Sequence, residues 1–434
     1  MCCPHTGHAN LNSLIGYQLD NPTAVSVPQS FLFTRMHRFF GIGTPFQLDI
    51  GDAIPHSATP MPDFRSIGRR FRFQESGLLL VILLLGLLLT AKGGKVVVAV
   101  FEKNAQGERQ RVFRTNAAGE REAVTVERNK FLNPQSLAQL AKDTSFIAIM
   151  AIGATFVIIS GGIDLSVGAI YALASVLAAL VLHRYGPDGE AASASPWLGV
   201  VLGVLTCLGV SLACGLLNGA MIVALRVHPF IITLGTMSIF RGIAFVVTKG
   251  QSVGLFPQNL HDTVAWEIGD GLRLVPCAAM VVAAVVAAIY LTRGAPGRRV
   301  YALGGNEIAS TYSGIRTGRV KLSVYLFSAL TAGVAAVLSL GYYGAASSGD
   351  GQGYELNVIA AAVVGGASLS GGKGSALGAL LGALVIQMIS TGIVFLGIDQ
   401  SYSQIIMGTV VILAVVLDQV NTWLGRRRTI RAAA

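Results

Sequence analysis

Apolar runs near or above the length needed to cross a lipid bilayer recur through the C-terminal three quarters of this chain. They constrain its fold more than any other feature, because roughly 20 apolar residues in a helix span the hydrocarbon of a membrane. Ten runs can be read: Gly77–Ala91, Thr144–Ser160, Ile163–Leu182, Trp197–Leu225, Phe230–Thr248, Leu274–Tyr290, Leu322–Tyr343, Leu356–Leu369, Ala376–Leu396 and Tyr402–Trp423. The first is short for a span, and no small-x-small cleavage site follows it in TAKGGK, so it reads as an uncleaved helix and not as a signal peptide. Only 12% of the 434 residues are charged, about half the share in a soluble protein. The expected fold is therefore an all-α polytopic membrane protein of about ten transmembrane helices.

Ten crossings place both termini on one side, and the basic residues say which. With the N-terminus in the cytoplasm, the inside set holds Arg65, Arg69, Arg70, Arg72, Arg226, Arg293, Arg298, Arg299, Arg316, Arg319, Lys321, Lys373 and the Arg426–Arg428 cluster. The outside set holds Arg184, Lys249 and Arg273, apart from an insert between the first two runs. The net charge of +10 thus belongs to membrane orientation, and nucleic-acid binding is not expected. The insert runs against the asymmetry, since Lys92, Lys95, Lys103, Arg109, Arg111, Arg114, Arg121, Arg128 and Lys130 all fall outside. A folded loop can translocate despite such charge.

Composition also sets the domains. Residues 1–62 are rich in Pro, Asn, Ser and Thr and read as a disordered tail, or as an over-extended start with the true one at Met36 or Met61. Residues 63–91 are a basic flank and the first helix. Residues 92–133 alternate in β fashion around NAQG and NAAG turn signals, as a small extracytoplasmic hairpin or three-stranded insert. Residues 134–425 form the core with a cytoplasmic loop at 294–321, and 426–434 a basic cytoplasmic tail. Cys2, Cys3, His5 and His8 make a short tract that nothing downstream continues, so no metal site is expected. Cys207, Cys214 and Cys277 lie in or beside apolar runs, as small core residues do.

Several polar residues interrupt the runs. In SGGIDLSVG, Ser160–Gly168, two glycines break the apolar sequence and Asp164 stands where the next helix opens. Asp164 either caps that helix or, with Gly161, Gly162 and Ser166, lines a polar route at a discontinuous helix. Arg241 falls near the middle of its run, where an unpaired charge is costly; Asp164 and Glu355 are the candidates to neutralise it. Glu355 can equally serve as a first-turn carboxylate. Asn218, Thr233 and Thr236 either face a pathway for a hydroxyl-rich solute or bond between helices. SLSGGKGS, Ser368–Ser375, is not a phosphate-binding loop: Ala367 stands where the first Gly is needed and Gly374 where a hydroxyl is needed, so hydrolysis of ATP is not expected of this chain. Neither a catalytic residue set nor a metal site is expected. Within Gly297–Lys321, Asn306 followed by EIASTYS and Gly314 spells a short capped helix, marginal alone and so in need of something to pack on.

GGIDLSVG, LLNGAMIV (Leu216–Val223), HPFIITLGTMSIFRGI (His228–Ile243) and GYELNVIAAAVVGGASLSGGKG (Gly353–Gly374) resemble, in order, the permease family of ribose-, xylose- and arabinose-type ATP-driven importers. The resemblance runs from about Phe131 to Gln419; the tail and the insert match nothing typical of the family. It implies a bacterial inner-membrane permease that receives a pentose or similar monosaccharide from a periplasmic sugar-binding protein. It also implies alternating access in the membrane, beside a second permease copy or paralogue and among membrane lipid. ATP and magnesium would sit on a separate cytoplasmic ATPase, with no cofactor in this chain. The helix after Asn306 would be the coupling helix that enters the ATPase, with Glu307, Ala309 and Gly314 fitting that pattern. The alternative from a different class is an ion-coupled transporter of a small polar solute, with Asp164 or Glu355 titrating.

Overall fold

The computed structural model describes residues 64–433 apart from 100, 104–108, 116–119, 192–194 and 269–270. The tail 1–62, its Cys/His tract and the two turn signals of the insert lie outside the described residues. Thirteen helices are described: α1 (Phe64–Lys92), α2 (Pro134–Ile159), α3 (Val167–Arg184), α4 (Pro196–Leu225), α5 (Pro229–Thr248), α6 (Gln258–Val264), α7 (Leu274–Arg293), α8 (Ala295–Gly305), α9 (Glu307–Tyr312), α10 (Thr317–Tyr343), α11 (Tyr354–Val364), α12 (Ala376–Phe395) and α13 (Ser403–Ala433). Among the described residues, α2, α3, α4, α5, α7, α10 and α12 are long and apolar enough to cross a membrane. Shorter apolar stretches lie in α1 (Ser76–Lys92), α11, and the 3-10 turn Gln400–Tyr402 with the start of α13 (together Gln400–Val416). The chain is a polytopic, mostly helical membrane protein; seven of the ten expected spans reach spanning length.

The boundaries show why hydropathy misplaces some ends. Helix α2 begins well before Thr144, because Asn133 Oδ1 accepts the Ser136 N–H at 2.8 Å and Pro134 supplies a preformed first turn. Helix α10 likewise starts at Thr317 and not at Leu322. Helix α3 starts at Val167, leaving Ile163–Ser166 as irregular chain. The run Leu356–Leu369 departs most: α11 stops at Val364, where Gly365 and Gly366 turn the chain and the Ala367 N–H returns to the Ala362 carbonyl at 2.9 Å.

Helix α2 is the axis of the bundle. Of its most apolar stretch 94% is buried, against 17% for α7, and α7, α10, α11 and α12 all pack on it. The buried run Ala148, Ile149, Met150, Ala151 and Ile152 sets two alanines among larger side chains, which lets neighbours approach closely. Helix α4 packs along α3 and α10 and turns its other face outward, exposing Val201, Leu205, Leu212 and Leu216.

Between α1 and α2 the chain makes three antiparallel strand pairs and not one hairpin or three-stranded sheet: 95–99 with 125–129 encloses two successive pairs, 101–103 with 109–111 and 113–115 with 121–123. Their base is tied to the bundle. Asn129 Nδ2 donates to the Thr90 carbonyl at 2.8 Å, and the Lys130 ammonium lies 5.2 Å from the centre of the Phe395 ring at the end of α12.

Candidate functional site

The chain between α2 and α3 is organised around Asp164, which is buried. Its Oδ1 accepts from the backbone N–H of Ser166 at 2.9 Å and from the Ser166 hydroxyl at 2.6 Å. Its Oδ2 accepts from the Ser328 hydroxyl of α10 at 3.1 Å. Asp164 therefore is not the cap of α3; it closes a local turn of the kind Asp favours and ties that turn to α10. Position Ser166 caps α3 without a side-chain bond, its hydroxyl being spent on Asp164. Asn218 of α4 donates its amide to Ser166 Oγ at 2.8 Å. That orientation follows from the network, since the Ser166 proton already points at Asp164. It leaves Asn218 Oδ1 buried with no donor among the described residues.

Helix α5 meets the same turn. The Thr233 hydroxyl lies 3.2 Å from the Ile163 carbonyl and 3.1 Å from that of Pro229, and Thr236 bonds within its own helix to the Thr233 carbonyl at 3.3 Å. Arg241, two turns further along, does not reach for Asp164. It donates to the carbonyls of Ser348 and Asp350 at 3.1 Å each and pairs with Glu355 Oε1 at 3.1 Å. Glu355 lies in the first turn of α11, so both expectations for it hold together: it faces the positive helix end and neutralises Arg241. The arginine thereby fastens the loop between α10 and α11 to the middle of α5.

At the same, C-terminal end of α2 lie α8 and α9. Asn306 Oδ1 accepts the Ala309 N–H at 2.9 Å and opens α9. Gly314, at φ +80°, closes it, with the Ile315 N–H returning to Ser310 at 3.1 Å; an L side chain at that φ is strained. Glu307 pairs with Lys321 of α10 at 2.6 Å. Ile308 and Tyr312, one turn apart on α9, are 70% and 88% exposed.

Helix α8 is amphipathic and was not singled out by apolar length. It buries Val300 and Leu303, and its Tyr301 hydroxyl donates to the Gly374 carbonyl at 2.8 Å. Burial pushes the Tyr301 phenol up to about 12, so it stays protonated and donating. Gly304 sits where a Cβ would strike the Ile159 carbonyl and lie 2.6 Å from the Gly372 nitrogen. The Gly372 N–H itself donates to that Ile159 carbonyl at 2.8 Å. The Gly-Gly-Lys segment is thus part of a backbone junction joining the last turn of α2, the end of α8 and the loop between α11 and α12. A cavity of about 880 Å³ opens beside it, lined by Gly161, Gly162, Arg226, His228, Glu307 and Lys321 among others. The broken segment and α9 share its wall.

Lys142 escaped the apolar reading because a Lys-Asp pair just ahead of a run looks like a solvated flank. Inside α2 it is 1% exposed, 2.8 Å from Asp143, 4.0 Å from the centre of the Tyr342 ring and 3.4 Å from the Tyr343 hydroxyl. The helical spacing of Lys142 from the buried Phe146 was the available signal.

The family described as branched-chain amino acid transport system / permease component matches residues 136–415, more than half of the chain. The chain belongs to this permease family. A ribose import permease protein of Bacillus subtilis is 37% identical over 299 residues, covering 68% of this chain and 88% of that protein. The ribose import permease protein of Escherichia coli is 37% identical over 292 residues, 66% of this chain and 87% of its own length. The D-allose transport system permease protein of Escherichia coli is 36% identical over 289 residues, 67% of this chain and 85% of its own length. No solved structure matches the chain. The likeness to sugar-importer permeases carried by GGIDLSVG and the three later segments is upheld by these relatives. Within this permease, the matched residues begin in α2 and end in α13, and so take in the broken segment, the Arg241 clamp and α9.

Proposed function

We propose that this permease forms half of the membrane channel of an ATP-driven importer for a monosaccharide, a pentose or similar sugar. It does so with both termini in the cytoplasm of a bacterial inner membrane. The observation that carries the reading is the shared cavity wall: α9, with Ile308 and Tyr312 presented to a partner, lies across one cavity from the broken segment at Gly161 and Gly162. A cytoplasmic ATPase, which would hold the ATP and magnesium, docks on α9. Its closure moves α8, and Gly304 passes that movement to the end of α2 through a contact between backbones. The turn at Asp164 is bonded to α4 and α10 and approached by α5, so a shift there re-sets three helices together. Asn218, Thr233 and Thr236 lie around that turn, and the buried Asn218 Oδ1 is an acceptor that a sugar hydroxyl in transit can use. A periplasmic sugar-binding protein delivers the solute, and a second permease copy or paralogue covers part of the exposed apolar face.

The import-permease relatives speak against the ion-coupled alternative. The two readings differ in energy source. Proteoliposomes holding this permease, its genomically adjacent ATPase and a ribose-loaded binding protein should accumulate ribose when ATP is supplied, and not under a proton or sodium gradient alone. Accumulation driven by the ion gradient without ATP would overturn the proposal.

A further inference from the structure

We propose that the cavity between the end of α7, α8 and the start of α10 binds the phosphate headgroup of an anionic membrane lipid. The cavity holds about 580 Å³. Its wall includes Arg299 of α8, Arg316 and Arg319 at the entrance to α10, and the hydroxyl-bearing Tyr290, Ser313 and Ser323, and no carboxylate lines it. All three arginines are exposed, and none is in an ion pair among the described residues. Lys321, on the same helix, is by contrast neutralised by Glu307. Three guanidinium groups facing one cavity repel one another until an anion enters, and each offers a fork of donors that fits phosphate oxygens.

A second feature adds to the field. Helix α10 is 27 residues long, starts at Thr317 with Arg316 at its N-cap, and has no side-chain cap on its first N–H groups; its positive end therefore lies at the cavity wall.

The cavity's position selects a lipid over a free anion. Tyr290 is on α7, which exposes Val282, Val285, Val286 and Ile289 in the turns leading to it. That strip is a path for an acyl chain, ending where the helix gives way to Arg293. A phosphodiester at the arginines with its chains along α7 satisfies both halves of the surface, as basic pockets between helices do for anionic headgroups. The site lies beside the coupling segment, with Ser313 and Gly314 in its wall, so an occupied site would hold the exit of α9 at a fixed depth in the membrane. The inference does not depend on which solute is carried.

Lipid retention tests it. The full-length permease is purified from vesicles containing equal phosphatidylglycerol and phosphatidylcholine, exchanged into mild detergent, and its retained lipid measured by native mass spectrometry. The wild type should hold phosphatidylglycerol in preference. R299Q/R316Q/R319Q should lose that preference by about tenfold or more, while R293Q/R298Q, which alters arginines outside the cavity wall, should keep it. Single Arg316→Gln, at an exposed position where little stability is at stake, should show an intermediate loss with unchanged thermal unfolding. Retention in the triple variant equal to wild type would overturn the proposal. So would displacement of the lipid by excess inorganic phosphate, the mark of a free-anion site, or a triple variant that keeps its lipid and loses only its ATPase.

Discussion

Arg241 shows how a charge is held at a half-buried position inside the bundle. Its guanidinium answers one carboxylate and two backbone carbonyls within 3.1 Å, so removing it strands more than an ion pair. Arg241→Met should lower stability by about 3 kcal/mol or more, as loss of one partner of a buried pair does. The double variant R241M/E355M should recover only part of that, because the carbonyls of Ser348 and Asp350 still lack their donor. Thermal unfolding of the two variants in detergent measures this, and full recovery in the double variant would show the carbonyl contacts to be incidental. The sequence pointed to Arg241 and Glu355 because charge inside an apolar run is conspicuous. It offered Asp164 equally as the partner, since no residue spacing says which of two carboxylates the fold brings near. Lys142 stayed hidden for the opposite reason: at the edge of an apolar run a lysine looks solvated, and only the packing of Tyr342 and Tyr343 over it reveals that it is buried.

At the scale of single elements, local chemistry was readable and depth was not. Asn306 and Gly314 marked the ends of α9 because capping and left-handed closure are properties of adjacent residues. The start of α2 was misplaced because apolar length stops where polar residues begin, whereas a helix continues to its cap at Asn133. The Gly-Gly-Lys segment carried no hint of its use, since it acts through contacts with Gly304 and Ile159, which are remote in sequence. These contacts separate docking from transmission. Gly304→Ala places a methyl against the Ile159 carbonyl and forces α8 away from α2, while Ile308 and Tyr312 stay presented. The ATPase should then co-purify at wild-type level while ATP-driven uptake falls at least tenfold, a barrier change of about 1.4 kcal/mol. Ile308→Asp with Tyr312→Asp should do the reverse, releasing the ATPase with α8 undisturbed. If Gly304→Ala transports normally, the backbone junction does not carry the stroke.

For the whole molecule, the two ends of α2 give an axis that owes nothing to charge counting. One end starts just after the insert, whose base is bonded to α1 through Asn129 and lies against Phe395 through Lys130. The other end is in contact with Gly304 and Gly372, beside α9. Twenty-six residues of helix separate them, a rise of about 39 Å that exceeds the hydrocarbon thickness of about 30 Å. The insert and α9 therefore belong on opposite faces of the membrane. The polytopic helical class and the order of the four family segments were legible in the sequence, because they depend on composition and local pattern, whereas seven of the ten expected runs reach spanning length among the described residues. The short length of α11 and the three-pair arrangement of the strands between Lys95 and Asn129 were not, because each is set by where the chain turns back on its neighbours. Charge then predicts the face: Arg293, Arg298, Arg299, Arg316 and Arg319 cluster at the α9 end, which by the positive-inside rule should lie in the cytoplasm, with the basic insert expected to cross as a folded unit. Glu122→Cys in the insert and Ala302→Cys on α8, both exposed positions, decide the point in a chain whose native cysteines are replaced by Ser. In spheroplasts an impermeant maleimide should label Glu122→Cys at once and Ala302→Cys only after the membrane is opened. The reverse pattern would place α9 away from any ATP-consuming partner and overturn the importer reading, and labelling of both from one side would break the axis itself.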